Sequence, residues 1–425
     1  MKQLNLKTFR MYRRRGLIGL CFIVAVVLIT NAIFIFVRGG RLEEKLAAIR
    51  TAGDPVSFSQ LAPTAIPPER NAAVFLGRAQ VGIENISKEL FNVYNQPGFI
   101  DGSLSASDLK AIESALQGSP KIIPLLKQSA DCTEYAPRID YTVDAQGFIA
   151  DSMSRLNSLR AVNRVLTARV HLLISQRNGK EALQTCLAMF RLARLIDREP
   201  ITGYLVSLAC RSMAIQSSCA VLRAGRLQKL TYDALDAELA RHDNTDAYVR
   251  TLKTERVLGI ESFTSIRANT GYLQIGFLRD ECDYLDLISE QLEFASRPYS
   301  AVVAADLNGR HQGRIGPLSQ TVLPALLQCR KACDRTRAKL RCLRVLNAIH
   351  SRLAEGDGPE QKVTDLGLPR DATTDPFSEA PLKLKKTAAG WIVYSIGENL
   401  KDDGGDFNEL HDIGVGPITP NKGDR

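Results

Sequence analysis

The most distinct feature in the pattern of hydrophobic and polar positions is an uncharged run of 22 residues from Gly16 to Val37. Within this run only Thr30 and Asn31 are clearly polar. About 20 apolar residues span a bilayer as an α-helix, whereas the apolar core of a cleaved signal peptide has about 7–15 residues and a small-residue site after it. The pattern therefore predicts an uncleaved transmembrane helix over residues 16–38.

Beyond about residue 69, apolar positions recur every three or four residues, which predicts a mainly α-helical protein. Ser105, with Asp108 three residues later, is typical of a helix N-terminus, and Gly118 is typical of a helix end. Short breaks such as Asn178–Gly179 predict antiparallel helical hairpins, an irregular arrangement similar to tetratricopeptide repeats. The strongest helical stripes cover residues 159–173, 183–193, 201–225, 231–242, 245–267, 275–296 and 320–354.

Two stretches depart from the helical pattern. Residues 54–73 contain four prolines and little periodicity, which predicts an extended strap lying on the domain. Residues 381–386 and 391–396 have the composition of strands and flank Thr387–Gly390, so we expect a β-hairpin with a four-residue loop. Asp375, followed by Pro376, is typical of the turn that enters this hairpin.

The helix predicted at 320–354 has two distinct faces. Its apolar seam is formed by Cys329, Cys333, Thr336, Leu340, Leu343 and Asn347, and is widened by Ala338, Cys342, Val345 and Ile349. Basic residues occupy the rest, namely Arg330, Lys331, Arg335, Arg337, Lys339, Arg341 and Arg344. The pattern favours a solvated polar face over a phosphate-binding helix, because no aromatic residue or glycine loop accompanies the charges.

The distribution of charge predicts the orientation of the protein in the membrane. The chain carries a net charge of +9, and six basic residues before residue 16 leave only +3 for the remainder. The positive-inside rule therefore places residues 1–15 in the cytoplasm and residues 39–425 outside it, in the periplasm of a cell with two membranes. Aromatic residues are only 6% of the chain, so a nucleic-acid partner is not expected.

Eight of the nine cysteines lie outside the predicted span, and most fall within apolar helical stripes. Free cysteine in such a pattern behaves as a small hydrophobic residue. An exported domain also permits one or two disulfides, whose connectivity the spacing does not determine. Core packing is the interpretation that the pattern favours.

The chain contains none of the common catalytic motifs for a serine hydrolase, a zinc peptidase or a phosphate-binding loop. One acidic cluster, Asp280, Glu281, Asp283, Asp286 and Glu290, lies on a predicted helix. Asp283 and Asp286 share a helical face and could pair with Glu255 or Glu261, as paired carboxylates do in acid–base catalysis. An exposed acidic face is the simpler interpretation, and His171 is expected to be a hydrogen-bonded core residue.

Within roughly residues 325–410, a long helix leads to "DPFSEAPLKLKK" and then to "YSIGENLKDDGG". This order of motifs resembles the globular end of the major pseudopilin of type II secretion. The chain as a whole resembles uncharacterised bacterial membrane-anchored proteins, through "PPERNAA", "NGKEALQTCLAMFRLARLIDREP" and the same acidic end. The chain differs from a pseudopilin in that residues 39–324 separate the anchor from this end, and in that Cys21 occupies the position of the processing-site glutamate.

The pseudopilin resemblance implies calcium binding in the acidic loop after the hairpin. Calcium takes six to eight oxygen ligands on a backbone that turns sharply, and Gly404 and Gly405 permit such a turn. If the motif is carried over residue by residue, the main ligands would be Asp402 and Asp403, and Asp406 and Asn399 would be additional ligands. Leu400 occupies a position at which related tails often have glycine. The alternative is a polar turn without metal.

These observations predict a mainly α protein of five segments: a cytoplasmic tail at 1–15, a transmembrane helix at 16–38, an exported helical domain at 39–319, a pseudopilin-like module of a long helix and β-hairpin at 320–414, and a flexible tail at 415–425. The function expected from this organisation is binding or scaffolding at the membrane surface, with a protein partner on the helical domain. A membrane-anchored hydrolase that uses carboxylates of the 255–290 helices is the alternative.

Overall fold

The structure is a computed structural model, and it describes residues 2–196, 199–270, 274–355, 362–408 and 411–416. Over these ranges it is mainly helical with one small antiparallel sheet, as predicted. The helices are α1 (Lys2–Thr51), α2 (Ala72–Glu89), α3 (Phe91–Tyr94), α4 (Gly98–Asp101), α5 (Ala106–Gly118), α6 (Ile122–Asp131), α7 (Ala145–Ser175), α8 (Gly179–Leu195), α9 (Ile201–Ala224), α10 (Lys229–His242), α11 (Asp246–Thr270), α12 (Gln274–Phe294), α13 (Tyr299–Ala305), α14 (Leu307–His311), α15 (Pro317–Glu355) and α16 (Arg370–Thr373). The strands are β1 (Lys383–Thr387), β2 (Gly390–Ser395) and β3 (Ile413–Val415).

Helix α1 is long and apolar enough to cross a membrane. Its most apolar window has a mean hydropathy of 2.9, and none of that window is buried in the protein. Helix α9 passes the same test of length and composition with a mean hydropathy of 1.4, but two thirds of its window is buried among other helices. Beyond the apolar run, α1 continues without a break and buries Leu42, Leu46 and Ile49 against the domain. The segment that follows the apolar run is therefore the last part of the same helix, which ends at Thr51.

Local signals in the sequence predicted several helix ends correctly. At the start of α5, the Ser105 side chain accepts a hydrogen bond from the Asp108 amide, and the Asp108 side chain accepts one from the Ser105 amide. Helix α5 ends at Gly118, and α8 begins after Asn178, whose side chain accepts from the Glu181 amide. Each side chain satisfies an amide that the first helical turn leaves without a partner.

Helix α15 lies at the centre of the fold. It packs directly on α9, α10, α12 and the sheet. Its first half shares a hydrophobic cluster with α1, α9, α11 and α12, and its second half shares another with α8, α9, α10 and the sheet. All ten residues of the predicted seam and its flanks are buried. Because neighbours surround this helix, it is buried over a wider arc than a surface helix.

The prediction of a solvated basic face on α15 is wrong for three of its seven basic residues. Arg330, Arg341 and Arg344 are buried, and each of them binds an aspartate. For Arg341 and Arg344 these partners are Asp243 and Asp236, which lie about a hundred residues earlier in the chain. A buried guanidinium needs such partners. The end of α12 supplies carbonyl oxygens to Arg330, and α10 with its C-cap residue supplies the carboxylates that bind Arg341 and Arg344.

The C-terminal sheet has the order β1–β2–β3 and is antiparallel throughout. The predicted hairpin forms, but its loop has two residues instead of four, because Thr387 and Gly390 pair as the last residues of their strands. Gly390 has a positive φ of 133°, a conformation that favours glycine. Val415 belongs to β3, whereas residues 417–425 of the predicted tail lie outside the described residues.

The remaining predictions concern the cysteines, His171 and the strap. Seven of the nine cysteines are buried, and all nine are free thiols, which confirms core packing. His171 is buried and its Nε2 lies 2.9 Å from the Phe99 carbonyl oxygen, as expected for a hydrogen-bonded core histidine. The strap lies on the domain through Phe58, whose ring stacks on that of Phe148 with centroids 4.4 Å apart.

Candidate functional site

The acidic loop leaves β2 at Ser395 and returns to β3 at Ile413. Within it, Asp402 accepts hydrogen bonds from the Tyr394 hydroxyl at 3.1 Å and from the Gly404 amide at 3.0 Å. The hydrogen bond from the Gly404 amide lowers the pKa of this carboxyl group, and the Tyr394 hydroxyl and Lys383 lower it further. Asp402 is thus held against the sheet.

The other three predicted ligands form two separate contacts. Asn399 donates to the Asp403 carboxylate at 2.8 Å, whereas the Asp406 carboxylate lies 2.8 Å from Nδ1 of His411. Within the ranges that the structure describes, no three carboxylate, histidine or cysteine side chains are grouped so as to hold a metal. The side chains as placed do not form a calcium cage, and calcium binding stays a prediction from the resemblance.

Sequence reasoning missed Asp412, which organises this loop. Its buried carboxylate accepts hydrogen bonds from the Asp403 amide at 3.3 Å and from the Gly405 amide at 2.6 Å. Burial raises the pKa of Asp412 even though both amides oppose the rise. The sequence places Asp412 immediately before an apolar strand, but this position alone does not show which amides the Asp412 carboxylate binds.

Four described residues of the loop adopt positive φ, namely Gly397, Leu400, Gly404 and Gly405. Gly405 has a φ of +84°, and a Cβ atom there would lie 2.5 Å from Cδ1 of Ile392. Leu400 has a φ of +56°, a region that L-residues other than glycine rarely adopt. Glycine adopts this region freely, so the glycine that the resemblance implies at this position would fit the backbone.

Calcium binding can be checked by thermal unfolding of the full chain in detergent. The resemblance predicts that calcium at about 100 times its Kd stabilises the protein by roughly 2.7 kcal/mol and raises the melting temperature by a few degrees. Chelator, or the double change Asp402→Ala/Asp403→Ala, should abolish the shift. Asp371→Ala, an exposed aspartate outside the loop, is the matched control. A melting temperature that calcium leaves unchanged would contradict the prediction.

The carboxylates considered for a hydrolase each bind a different partner. Glu255 accepts from the Ile201 amide at 3.0 Å, Glu261 from the Phe58 amide at 3.1 Å, and Asp283 from the Gly316 amide at 3.0 Å. Asp286 forms an ion pair with Lys45. These contacts connect the strap, α1, α9 and the start of α15 to the α11–α12 hairpin.

The interpretation of the acidic cluster as an exposed face is wrong for two of its members. Asp280 and Glu281 are buried. Asp280 accepts hydrogen bonds from the amides of Leu318 and Ser319 at 2.7 and 2.9 Å, and so caps the first turn of α15. Glu281 pairs with Arg267 of the preceding helix. Both carboxylates therefore fix the arrangement of helices.

A cavity of about 340 Å³ lies beside the acidic loop, between α9, α15 and the end of the sheet. Its apolar wall includes Ile215 and Phe407, and Phe407 is partly exposed at the rim. Three cationic side chains also line it, Arg223 from α9 and Arg335 and Lys339 from α15. We call these the cavity cations.

The cavity cations are only partly neutralised. Arg335 contacts Glu398 at 2.6 Å, but Lys331 shares that carboxylate at 3.1 Å. Arg223 and Lys339 make no ion pair with any other described residue, and both charges lie close to the buried thiol of Cys219. Burial, reinforced by the charge of Arg335, lowers the pKa of Lys339. The arrangement concentrates positive charge beside an apolar wall.

Comparisons with known proteins add no relative from which a role could be transferred. No family model, no curated protein and no solved structure matches the chain. The function must therefore be argued from the geometry.

Proposed function

We propose that the protein is a membrane-anchored binding protein whose exported helical domain takes a phosphate-bearing small molecule in the cavity beside the acidic loop. The observation that carries the proposal is the convergence of Arg223, Arg335 and Lys339 on one cavity. The carboxylates beside these three cations are Glu398, which Lys331 shares, and the buried Asp412, which binds two amides. Like charges held close together repel each other, and a bound anion replaces this repulsion with attraction.

The class of ligand follows from the cations and the wall beside them. A guanidinium group presents a planar set of donors that matches phosphate oxygens, and two of the three cavity cations are arginines. Ile215 and Phe407 offer an apolar surface for an organic substituent. The volume of about 340 Å³ falls at the lower end of the range for small-molecule sites.

The location of the domain is part of the proposal. The charge distribution around α1 supports an N-terminus in the cytoplasm, an anchor in the cytoplasmic membrane, and a domain exposed outside it, in the periplasm where a second membrane exists. The irregular helical hairpins and the pseudopilin-like end support a further protein partner on the helical domain. The ligand site and this partner site would then belong to one anchored receptor.

Calorimetric titration of the full chain in detergent with phenyl phosphate tests the ligand site. We expect Arg223→Gln and Lys339→Gln each to weaken binding by about 10- to 100-fold, since a hydrogen bond to a charged group contributes roughly 1.5–3 kcal/mol. Arg226→Gln, which removes the same charge from an exposed residue outside the cavity, should leave affinity unchanged. Separate titrations with inorganic phosphate and with phenol measure how much the anion and the ring each contribute to the affinity.

The same titration should depend on pH with a definite sign. Lys339 faces Arg335, Cys219 and Cys342, and its pKa is lowered from the usual value. Because phenyl phosphate remains fully charged above neutral pH, affinity should fall as pH rises through the pKa of Lys339, and Lys339→Gln should flatten this dependence. Absence of phenyl phosphate binding, or equal losses in Arg226→Gln and Lys339→Gln, would refute the proposed site.

A further inference from the structure

The contact between α1 and the domain begins inside the apolar run of α1. Partly or fully buried positions recur along one face of this helix from Asn31 through Ile35 to Leu42 and Leu46. Asn31 lies six residues before Val37, the last residue of the run, which corresponds to about 9 Å along the helix axis. Part of the domain therefore lies level with the end of the membrane-spanning segment.

Helix α12 is the element that reaches this level. It packs beside α1 and runs in the same direction, since Arg41 and Lys45 lie close to Cys282 and Lys45 pairs with Asp286. Gly276 lies six residues before Cys282, and Ile35 lies six residues before Arg41. Gly276 is accordingly at the level of Ile35, at the boundary between hydrocarbon and headgroups.

Four arginines surround this end of the domain. Arg38 and Arg41 follow the apolar run on α1, and Arg279 lies one turn beyond Gly276. Arg279 donates to the carbonyl oxygen of Arg314 at 3.4 Å, which brings the fourth arginine to the same end. We call these four residues the membrane-facing arginines.

The membrane-facing arginines have few acidic partners. Arg38, Arg41 and Arg314 make no ion pair with any other described residue, and Arg279 lies 3.7 Å from the Asp283 carboxylate. That carboxylate also accepts the Gly316 amide. Nearby Asp286 is paired with Lys45, and Asp280 and Glu281 are buried in the contacts described above. Glu43 and Glu44 follow Arg41 on α1, so the first charged side chains beyond the apolar run are the arginines.

We propose that the α11–α12 end of the domain rests on the bilayer surface and that the membrane-facing arginines bind anionic phospholipid headgroups. Because α1 continues without a break from the apolar run into the domain, it holds the α11–α12 end at the level of the headgroups. The positive charges of the arginines are complementary to an anionic surface. Each arginine near such a surface favours an anionic lipid by about 5-fold. The proposal rests on membrane anchoring through α1 but is independent of the ligand cavity.

Fluorescence quenching in lipid nanodiscs tests this proposal with the full chain. Gly276→Cys offers a labelling position, because a Cβ atom there meets no other atom within 4 Å. Gly225→Cys is the matched distal control; it is equally open and lies near Lys229, which pairs with Glu355 at the far end of α15. Both variants are made with Cys21→Ser and Cys132→Ser, since these two are the cysteines that are not buried.

We expect brominated lipid to quench a bimane label at position 276 but not one at position 225. Brominated phosphatidylglycerol should quench more strongly than brominated phosphatidylcholine at equal mole fraction. Arg279→Glu/Arg314→Glu should remove this difference, whereas Arg226→Glu at the distal end should preserve it. High salt should also reduce the difference in quenching between the two lipids, because salt screens the attraction between the arginines and the headgroups.

Two results would overturn the proposal. Equal, weak quenching at positions 276 and 225 would mean that the domain stands away from the bilayer. Equal quenching at position 276 by the two lipids would mean that the arginines do not select anionic headgroups. Flotation of the protein with vesicles distinguishes either result from a failure of α1 to anchor the chain, which would refute the membrane location itself.

Discussion

Replacing Arg330 with methionine should lower the free energy of unfolding by about 3–5 kcal/mol. The guanidinium group is buried and donates to the carbonyl oxygens of Phe294, Ala295 and Arg297 at 2.6, 3.1 and 2.8 Å. It also donates to the Asp334 carboxylate at 2.7 Å. Methionine would leave these carbonyl groups and a buried carboxylate without their donor. Urea titration of the full chain in detergent, followed by circular dichroism, measures the loss.

Two further variants show whether the loss comes from the buried charge. Arg330→Met/Asp334→Leu should be more stable than Arg330→Met alone, because the double change removes a buried carboxylate that would otherwise keep only the longer contact with Arg337 at 3.7 Å. Arg50→Met removes an exposed ion pair with Glu43 and should cost no more than about 1 kcal/mol. A further loss on adding Asp334→Leu would contradict this explanation.

Asp375→Ala should destabilise the C-terminal sheet by about 3 kcal/mol. The buried Asp375 carboxylate accepts hydrogen bonds from the Phe377 amide at 2.9 Å, the Ser395 hydroxyl at 2.7 Å and the Ile396 amide at 3.1 Å. It thereby joins the turn before β1 to the end of β2. Removing an acceptor of buried donors costs about 1–3 kcal/mol for each group left unpaired, and partial access of water limits the sum.

The only tryptophan of the chain, Trp391, lies in β2 and reports on this sheet. Its fluorescence during urea titration should show an earlier transition in Asp375→Ala and a smaller change in Asp375→Asn, which keeps one acceptor oxygen. Asp371→Ala, an exposed change in the same module, should stay within about 0.5 kcal/mol of the unaltered protein. If Asp375→Ala and Asp371→Ala behaved alike, the turn would not depend on this carboxylate.

The predictions that succeeded rest on neighbours within one or two turns of chain. The apolar run of α1, the reciprocal cap of Ser105 and Asp108, and the buried seam of α15 are all visible as local spacing. Local spacing also indicated the turn at Asp375. It did not determine the length of the hairpin loop, because the pairing of Thr387 with Gly390 depends on strand register.

Only the tertiary structure determined what the charged residues do. The sequence shows that α15 is basic, but Arg341 is buried because folding brings Asp243 beside it, 98 residues away. Likewise, Arg223 and Lys339 meet at one cavity only because α9 packs against α15. The physical reason is that periodicity reports which face of an element is apolar, whereas the dielectric environment and partners of a charge are set by elements that are distant in the chain.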